Sequence, residues 1–334
     1  MAAHWFEQRE RGSALLIGLM RTIALKGGRR VAGLLLWPIT LYFYATAGSA
    51  RTALARYYEA QGERPTTRLL FNHYLTFART ILDRVYLLAR RSDAPPLRVR
   101  GFEAVQEWLD RGQGCVLLGA HLGSFEAARA AGLRHEGLKM QIIMEQNVSR
   151  KLNKVLSVLD PGAAETTVGL GGPLALLRVR DTIAAGGLAG IMGDRLTAAQ
   201  AGYAAEFFGR KCLFPLAPLR LAGSLRAPVF FFAALYRRSV DGAAYYEVVF
   251  EPLAAPAPEG AARRKWLQDL GARYVACLQR YCRMAPDNWF NFYDFWSTHP
   301  LGDLHARAAG KPACDGGNLD GAGLAARRGA QRAP

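Results

Sequence analysis

The stretch Gly114-Cys-Val-Leu-Leu-Gly-Ala-His121-Leu-Gly-Ser-Phe-Glu126 sets an uncharged apolar run against a glycine-containing turn, with a histidine at the junction and a carboxylate five positions on. Cys115 to Ala120 reads as a short buried strand. Ser124, ahead of an alanine-rich run to Ala131, reads as the N-cap of a helix. His121 then stands at the carboxyl end of a strand, where open α/β sheets place their ligands. Across such a turn a glutamate can hold one imidazole nitrogen while the other takes a proton from an incoming hydroxyl. His121 and Glu126 are therefore the candidate catalytic pair, a general base and its orienting carboxylate. An isolated histidine is more often structural, and the strand-turn-helix setting is what favours catalysis here.

Working outward, the chain alternates strand-like and helix-like segments. Thr66 to Arg91 carries apolar residues at helical spacing and stops before Pro95-Pro96; Gly101 to Asp110 reads as a second helix. Met140 to Met144 and Leu188 to Met192 read as buried strands. If the sheet is parallel, the second brings Gly193-Asp194-Arg195 to the edge that holds His121. Val229 to Tyr236 and Tyr245 to Glu251 are strand-like, and Ala261 to Met284 is a long helix. This alternation predicts the α/β class: a mixed, mainly parallel sheet flanked by helices, with a hydrophobic helical segment in front. His73 and Asp83, inside the first helix, read as structural.

Several ordered blocks resemble one family. His121 and Glu126 resemble the His-(four residues)-Glu motif of the glycerolipid acyltransferase superfamily, in the branch of bacterial lipid A biosynthesis lauroyl/myristoyl acyltransferases. Met192-Gly-Asp194-Arg195, Glu206-Phe-Phe-Gly209, Phe214-Pro-Leu-Ala-Pro218 and the aromatic block Trp289 to Trp296 resemble further blocks of that branch, so the likeness spans about residues 10 to 300. The segment Met144 to Asn153 departs from it, lacking a Tyr-Arg pair before its Asn, which marks a divergent subgroup. The resemblance implies direct acyl transfer, without an acyl-enzyme, from an acyl carrier protein or CoA thioester to a hydroxyl or amine of a lipid-type acceptor. It implies attachment to the inner (cytoplasmic) membrane with the site facing the cytoplasm.

On this reading the backbone N–H groups from Leu122 to Ser124, with Gly123 allowing close approach, are candidate oxyanion donors. Asp194 and Arg195 are candidate substrate contacts, Arg195 for a phosphate or headgroup; an ion pair bracing a loop is the other reading of that arginine. Arg150, with Lys151 and Lys154, fits either the acidic surface of an acyl carrier protein or a solvated helix face. A thioesterase or lipid hydrolase on the same pair, and a non-enzymatic basic module binding membranes or a carrier protein, are the alternatives to the transferase.

The composition narrows the partners. The chain has 334 residues, is 51% hydrophobic and has a net charge of +16. Residues 1–100 alone hold sixteen Lys/Arg against six Asp/Glu. The pattern lacks the signatures of nucleic-acid binding, so anionic membrane lipids are the expected counterpart of the charge. Val31 to Ala47 is uncharged and aromatic-rich, yet short for a span and interrupted by Pro38. A shallow or re-entrant anchor is the favoured reading; a single span and a buried helical hairpin are the others. Five cysteines form no zinc spacing, and no metal or cofactor is expected beyond the thioester donor. The expected organisation is a membrane-associating segment 1–60, an acyltransferase domain 61–300 and a disordered tail 301–334. Oligomeric state is unreadable from the sequence.

Overall fold

The computed structural model describes residues 14–132, 138–144, 167–169, 173–196 and 200–296. The tail, the Arg150 segment and the first thirteen residues lie outside them. In chain order the elements are α1 (Ala14–Thr46), α2 (Gly48–Ala60), α3 (Thr67–Leu88), β1 (Leu97–Arg100), α4 (Phe102–Asp110), β2 (Cys115–Gly123) and α5 (Phe125–Gly132). Next come β3 (Met140–Met144), β4 (Thr167–Gly169), α6 (Pro173–Ala184), β5 (Leu188–Met192), β6 (Gly202–Phe207) and β7 (Arg210–Pro215). The last are α7 (Ala217–Leu225), β8 (Val229–Arg238), β9 (Ala244–Ala254) and α8 (Ala262–Met284), followed by a single 3-10 turn, Pro286–Asn288.

Seven strands form one sheet in the order β1-β9-β8-β2-β5-β3-β4. Its pairs are parallel except for the β8–β9 hairpin, while β6 and β7 make a separate antiparallel pair. The architecture is the mixed, mainly parallel α/β class predicted from the alternation of elements. The two-residue period of the central strands separates two cores. Val116, Leu118, Ala120, Val229, Phe231, Ala233 and Leu235 face one cluster, whereas Cys115, Leu117, Phe230, Phe232 and Ala234 face the other. Burying a phenylalanine of this kind contributes roughly 1.5–3 kcal/mol. The Phe230-Phe231-Phe232 run thus serves both faces of the sheet, and Phe207 and Phe208 are likewise buried.

The N-terminal helices wrap this body. Helix α1 leaves helical backbone at Gly28 (φ 77, ψ 169), whereas Pro38, where the sequence placed a kink, keeps helical dihedrals. Gly28 takes the left-handed region at little cost because it has no Cβ. One face of α1 packs on α3: Ala24, Ala32 and Leu36 meet Leu75, Leu82 and Tyr86, the Tyr86 hydroxyl donates to the Ala24 carbonyl at 3.0 Å, and Arg91 donates to that of Leu25 at 3.1 Å. The other face exposes Leu34 (71%), Leu41 and Tyr42 (59% each) and Trp37 (51%). Among the described residues no single helix is long and apolar enough to cross a membrane. The part of α1 from Met20 and α2, which meet at 92°, pass that test by length and composition only as a bent pair. Helix α3 starts where Thr66 accepts from the Leu69 N–H at 3.3 Å, as a capping threonine should.

Candidate active site

Strand β2 runs Cys115 to Leu118 against β5 and β8, then shifts register between Gly119 and Gly123. That irregular end carries His121. Because β5 is the parallel neighbour of β2, its exit brings Asp194 to the same edge, and the two side chains meet. The Asp194 Oδ1 lies 2.8 Å from His121 Nδ1, and Oδ2 accepts from the His121 backbone N–H at 3.0 Å and from the Trp289 indole at 3.0 Å. The carboxylate is 1% exposed and the imidazole 30%.

The electrostatics assign the protons. Burial raises the Asp194 pKa, but the charge and hydrogen bonds of His121, followed by Arg195, outweigh it and hold the carboxyl at about 2. Burial, then Arg195, pushes the His121 pKa down against the pull of Asp194, with Arg84 adding to the downward push. Near neutral pH the pair is an ionised carboxylate and a neutral imidazole. A carboxylate can only accept, so the ring proton sits on Nδ1 and Nε2 keeps its lone pair. Among the described residues nothing hydrogen-bonds Nε2.

This corrects the pairing read from the sequence. Glu126 does not hold His121: in the first turn of α5 its carboxylate faces α3, where Arg84 Nε lies 2.7 Å from its Oε2. Gly123 and Ser124 are also committed elsewhere. Gly123 has φ 77, and a Cβ there would stand 1.8 Å from the Ala234 carbonyl oxygen, so the missing side chain lets β2 approach β8. The Ser124 N–H donates to that same carbonyl at 2.8 Å, and its hydroxyl caps α5 by accepting from Ala127 at 3.2 Å. The oxyanion role predicted for this turn therefore loses its Ser124 donor. Asp194, expected as a substrate contact, is instead the buried partner of His121. Arg195 donates to the Phe290 carbonyl at 2.9 Å. Arg150 lies outside the described residues.

Trp289, which the sequence showed only as part of an aromatic block, belongs to the site. Its backbone bridges Leu122, and Phe290 donates to the His121 carbonyl at 2.8 Å. Behind it, His73 contacts the Trp289 carbonyl at 3.1 Å and the Tyr58 hydroxyl at 3.0 Å, while burial holds its pKa near 4. His73 is thus a structural link between α2, α3 and the aromatic block, as read. Asn288 clasps the Tyr236 backbone by accepting from its N–H (2.6 Å) and donating to its carbonyl (3.2 Å). Together these contacts fix the terminal block across the ends of β2 and β8.

An imidazole with one nitrogen held by a buried carboxylate and the other open, at the carboxyl edge of a mainly parallel sheet, is an arrangement suited to general-base chemistry in an α/β fold. The family described as bacterial lipid A biosynthesis acyltransferase matches residues 42–298, and this chain belongs to it. It is an acyltransferase acting on lipid. Among curated proteins none matches the chain.

Proposed function

We propose that the protein moves a fatty-acyl chain from an acyl carrier protein or CoA thioester to a hydroxyl or amine of a lipid acceptor at the cytoplasmic face of the inner membrane. His121 is the general base and Asp194 its positioning carboxylate. The observation that carries this reading is the 2.8 Å contact of Asp194 with Nδ1, which leaves Nε2 as the basic nitrogen on the open side.

In the reaction Nε2 accepts the proton of the acceptor hydroxyl as its oxygen bonds to the thioester carbonyl carbon. Asp194 offsets the charge of the resulting imidazolium. The tetrahedral oxyanion then collapses, the C–S bond breaks, and the thiolate recovers the proton from Nε2, so the enzyme returns to its starting state. Arg84 and Arg195, whose positive field already acts on the His121 ring, oppose the charge of the oxyanion. Glu126 serves Arg84 rather than the imidazole. The exposed apolar face of α1, beside the basic first hundred residues, supports shallow attachment to an anionic bilayer.

The test is transfer of a labelled acyl group from each donor to a total lipid extract. Labelled lipid formed by the wild type and lost in His121→Gln, with folding unchanged, is the expected outcome. Full transfer by the variant, or label released as free acid at a rate independent of acceptor, would sink the proposal.

A further inference from the structure

The turn from β6 to β7 and the C-terminal half of α8 form one surface. Phe208 holds a left-handed backbone (φ 51), a costly conformation for an aromatic residue, and its N–H donates to the Gln279 side chain at 2.6 Å. The guanidinium of Arg283 lies over the Phe208 ring and that of Arg210 over the Trp296 ring, each 5.4 Å from the centroid. Phe207 connects the two rings, at 4.4 Å from Phe208 and 6.2 Å from Trp296. Both arginines are exposed, and among the described residues neither side chain makes a hydrogen bond or an ion pair. Their neighbours are already matched. Arg280 pairs with Glu251, which also accepts from the Tyr281 hydroxyl at 3.0 Å, and Arg237 pairs with Glu247 at 3.3 Å. Beside Arg283 an open groove is lined by Ala276, Gln279, Arg280 and Met284, with Met284 41% exposed.

The position of this surface ties it to the site. Phe207 also packs on Trp289 at 5.3 Å, and the Trp289 indole holds Asp194. Two unpaired cations attract an acidic partner. Their separation across three rings, with a methionine-lined groove alongside, suits a protein face better than a single phosphate. Of the two donors in the proposed function, CoA carries its charge as phosphates on a small molecule, whereas an acyl carrier protein presents an acidic surface. The carrier's thioester hangs on a flexible arm, so docking has only to bring the carrier beside the site.

We propose that Arg210 and Arg283, with the groove beside Met284, dock the acidic face of the carrier protein that delivers the acyl thioester to His121. This docking rests on the proposed function for its purpose, but its existence is tested by binding alone. Binding of fluorescently labelled holo acyl carrier protein, which bears no acyl group, is measured by anisotropy with the full chain in a non-ionic detergent. The double variant Arg210→Glu/Arg283→Glu is expected to bind about tenfold or more weakly, and wild-type affinity to fall as salt is raised. Arg264→Glu, an exposed control near the other end of the same helix, should bind as wild type does. In transfer assays the double variant should raise KM for dodecanoyl carrier protein by the same factor, with kcat unchanged and with both constants for dodecanoyl-pantetheine unchanged.

Unchanged carrier binding in the double variant would overturn the docking surface. So would an equal loss in Arg264→Glu, which would mean general charge attraction, or an equal loss with dodecanoyl-pantetheine, which would mean damage to the site itself. Loss of sedimentation with anionic vesicles, with carrier binding intact, would assign the two arginines to lipid headgroups instead. His121→Gln separates this inference from the catalytic one, since it should bind the carrier as wild type does while transferring nothing. Retained acyl transfer by that variant would refute the catalytic reading and leave the binding result standing.

Discussion

Because an ionised carboxylate accepts and never donates, Asp194 places the proton of a neutral His121 on Nδ1, and the single substitution Asp194→Asn removes that instruction. The amide can offer its NH2 to the ring and select the other tautomer, with the proton on the nitrogen that has to act as base. Turnover is expected to fall on the order of 10⁴-fold, the scale seen when a catalytic imidazole loses its orienting carboxylate, with the fold intact by circular dichroism. Glu126→Gln acts through Arg84 and should cost less; a loss equal to that of Asp194→Asn would return Glu126 to the role of primary partner. The pH profile tests the same assignment. The base works only when neutral, and burial and Arg195 depress its pKa, so kcat/KM should fall on the acid side along a limb centred below the ordinary histidine value of 6.5. Arg195→Gln removes a positive neighbour, makes protonation easier and should move that limb to higher pH; a shift to lower pH would contradict the electrostatic account.

At the scale of elements, the site depends on β2 closing against β8 where it turns into α5. Gly123→Ala asks an L-residue to hold φ 77 and puts a methyl group 1.8 Å from the Ala234 carbonyl oxygen. The left-handed conformation alone costs roughly 1–2 kcal/mol, and here the backbone must also move. Gly112→Ala is the comparison, since Gly112 has φ 73 but open space around its Cβ position. Denaturant unfolding should show the larger loss at Gly123, and transfer activity should fall in that variant alone; equal losses would mean that the strand contact is unimportant. The same elements show what could be read in advance. The apolar run Cys115–Ala120, the amphipathic spacing of α3 and the strands at β5, β8 and β9 are local patterns, and they were legible because burial on a sheet face or helix stripe dictates residue type at short range. Even the arrival of Asp194 at the His121 edge followed from parallel strand order. The pairing did not: Glu126 is five residues from His121 and Asp194 is 73, and spacing along a chain says nothing of which carboxylate a turn aims at the ring. Trp289 was hidden for the same reason, as its indole reaches Asp194 across 95 residues.

At the scale of the molecule, the His121 edge and the apolar face of α1 are connected through α3, which packs on α1 by one set of residues and sends Arg84 toward Glu126 with another. The shallow attachment proposed above fits this arrangement: the inner face of α1 is occupied by α3, which leaves the outer face for lipid. Buried residues of α1 such as Ala24 and Leu36 stabilise the fold, whereas Leu34 and Leu41 point outward and contribute little to it. The two functions therefore separate by mutation. Leu34→Asp combined with Leu41→Asp should leave the melting temperature nearly unchanged, since exposed positions usually shift stability by less than about 0.5 kcal/mol. The same pair should abolish co-sedimentation with vesicles rich in anionic lipid. Transfer to a lipid acceptor in those vesicles should fall with binding, while transfer to a short-chain acceptor dissolved in detergent should persist. A double variant that melts far below wild type would place these side chains against a protein surface, and one that still sediments with vesicles would move the attachment to another face.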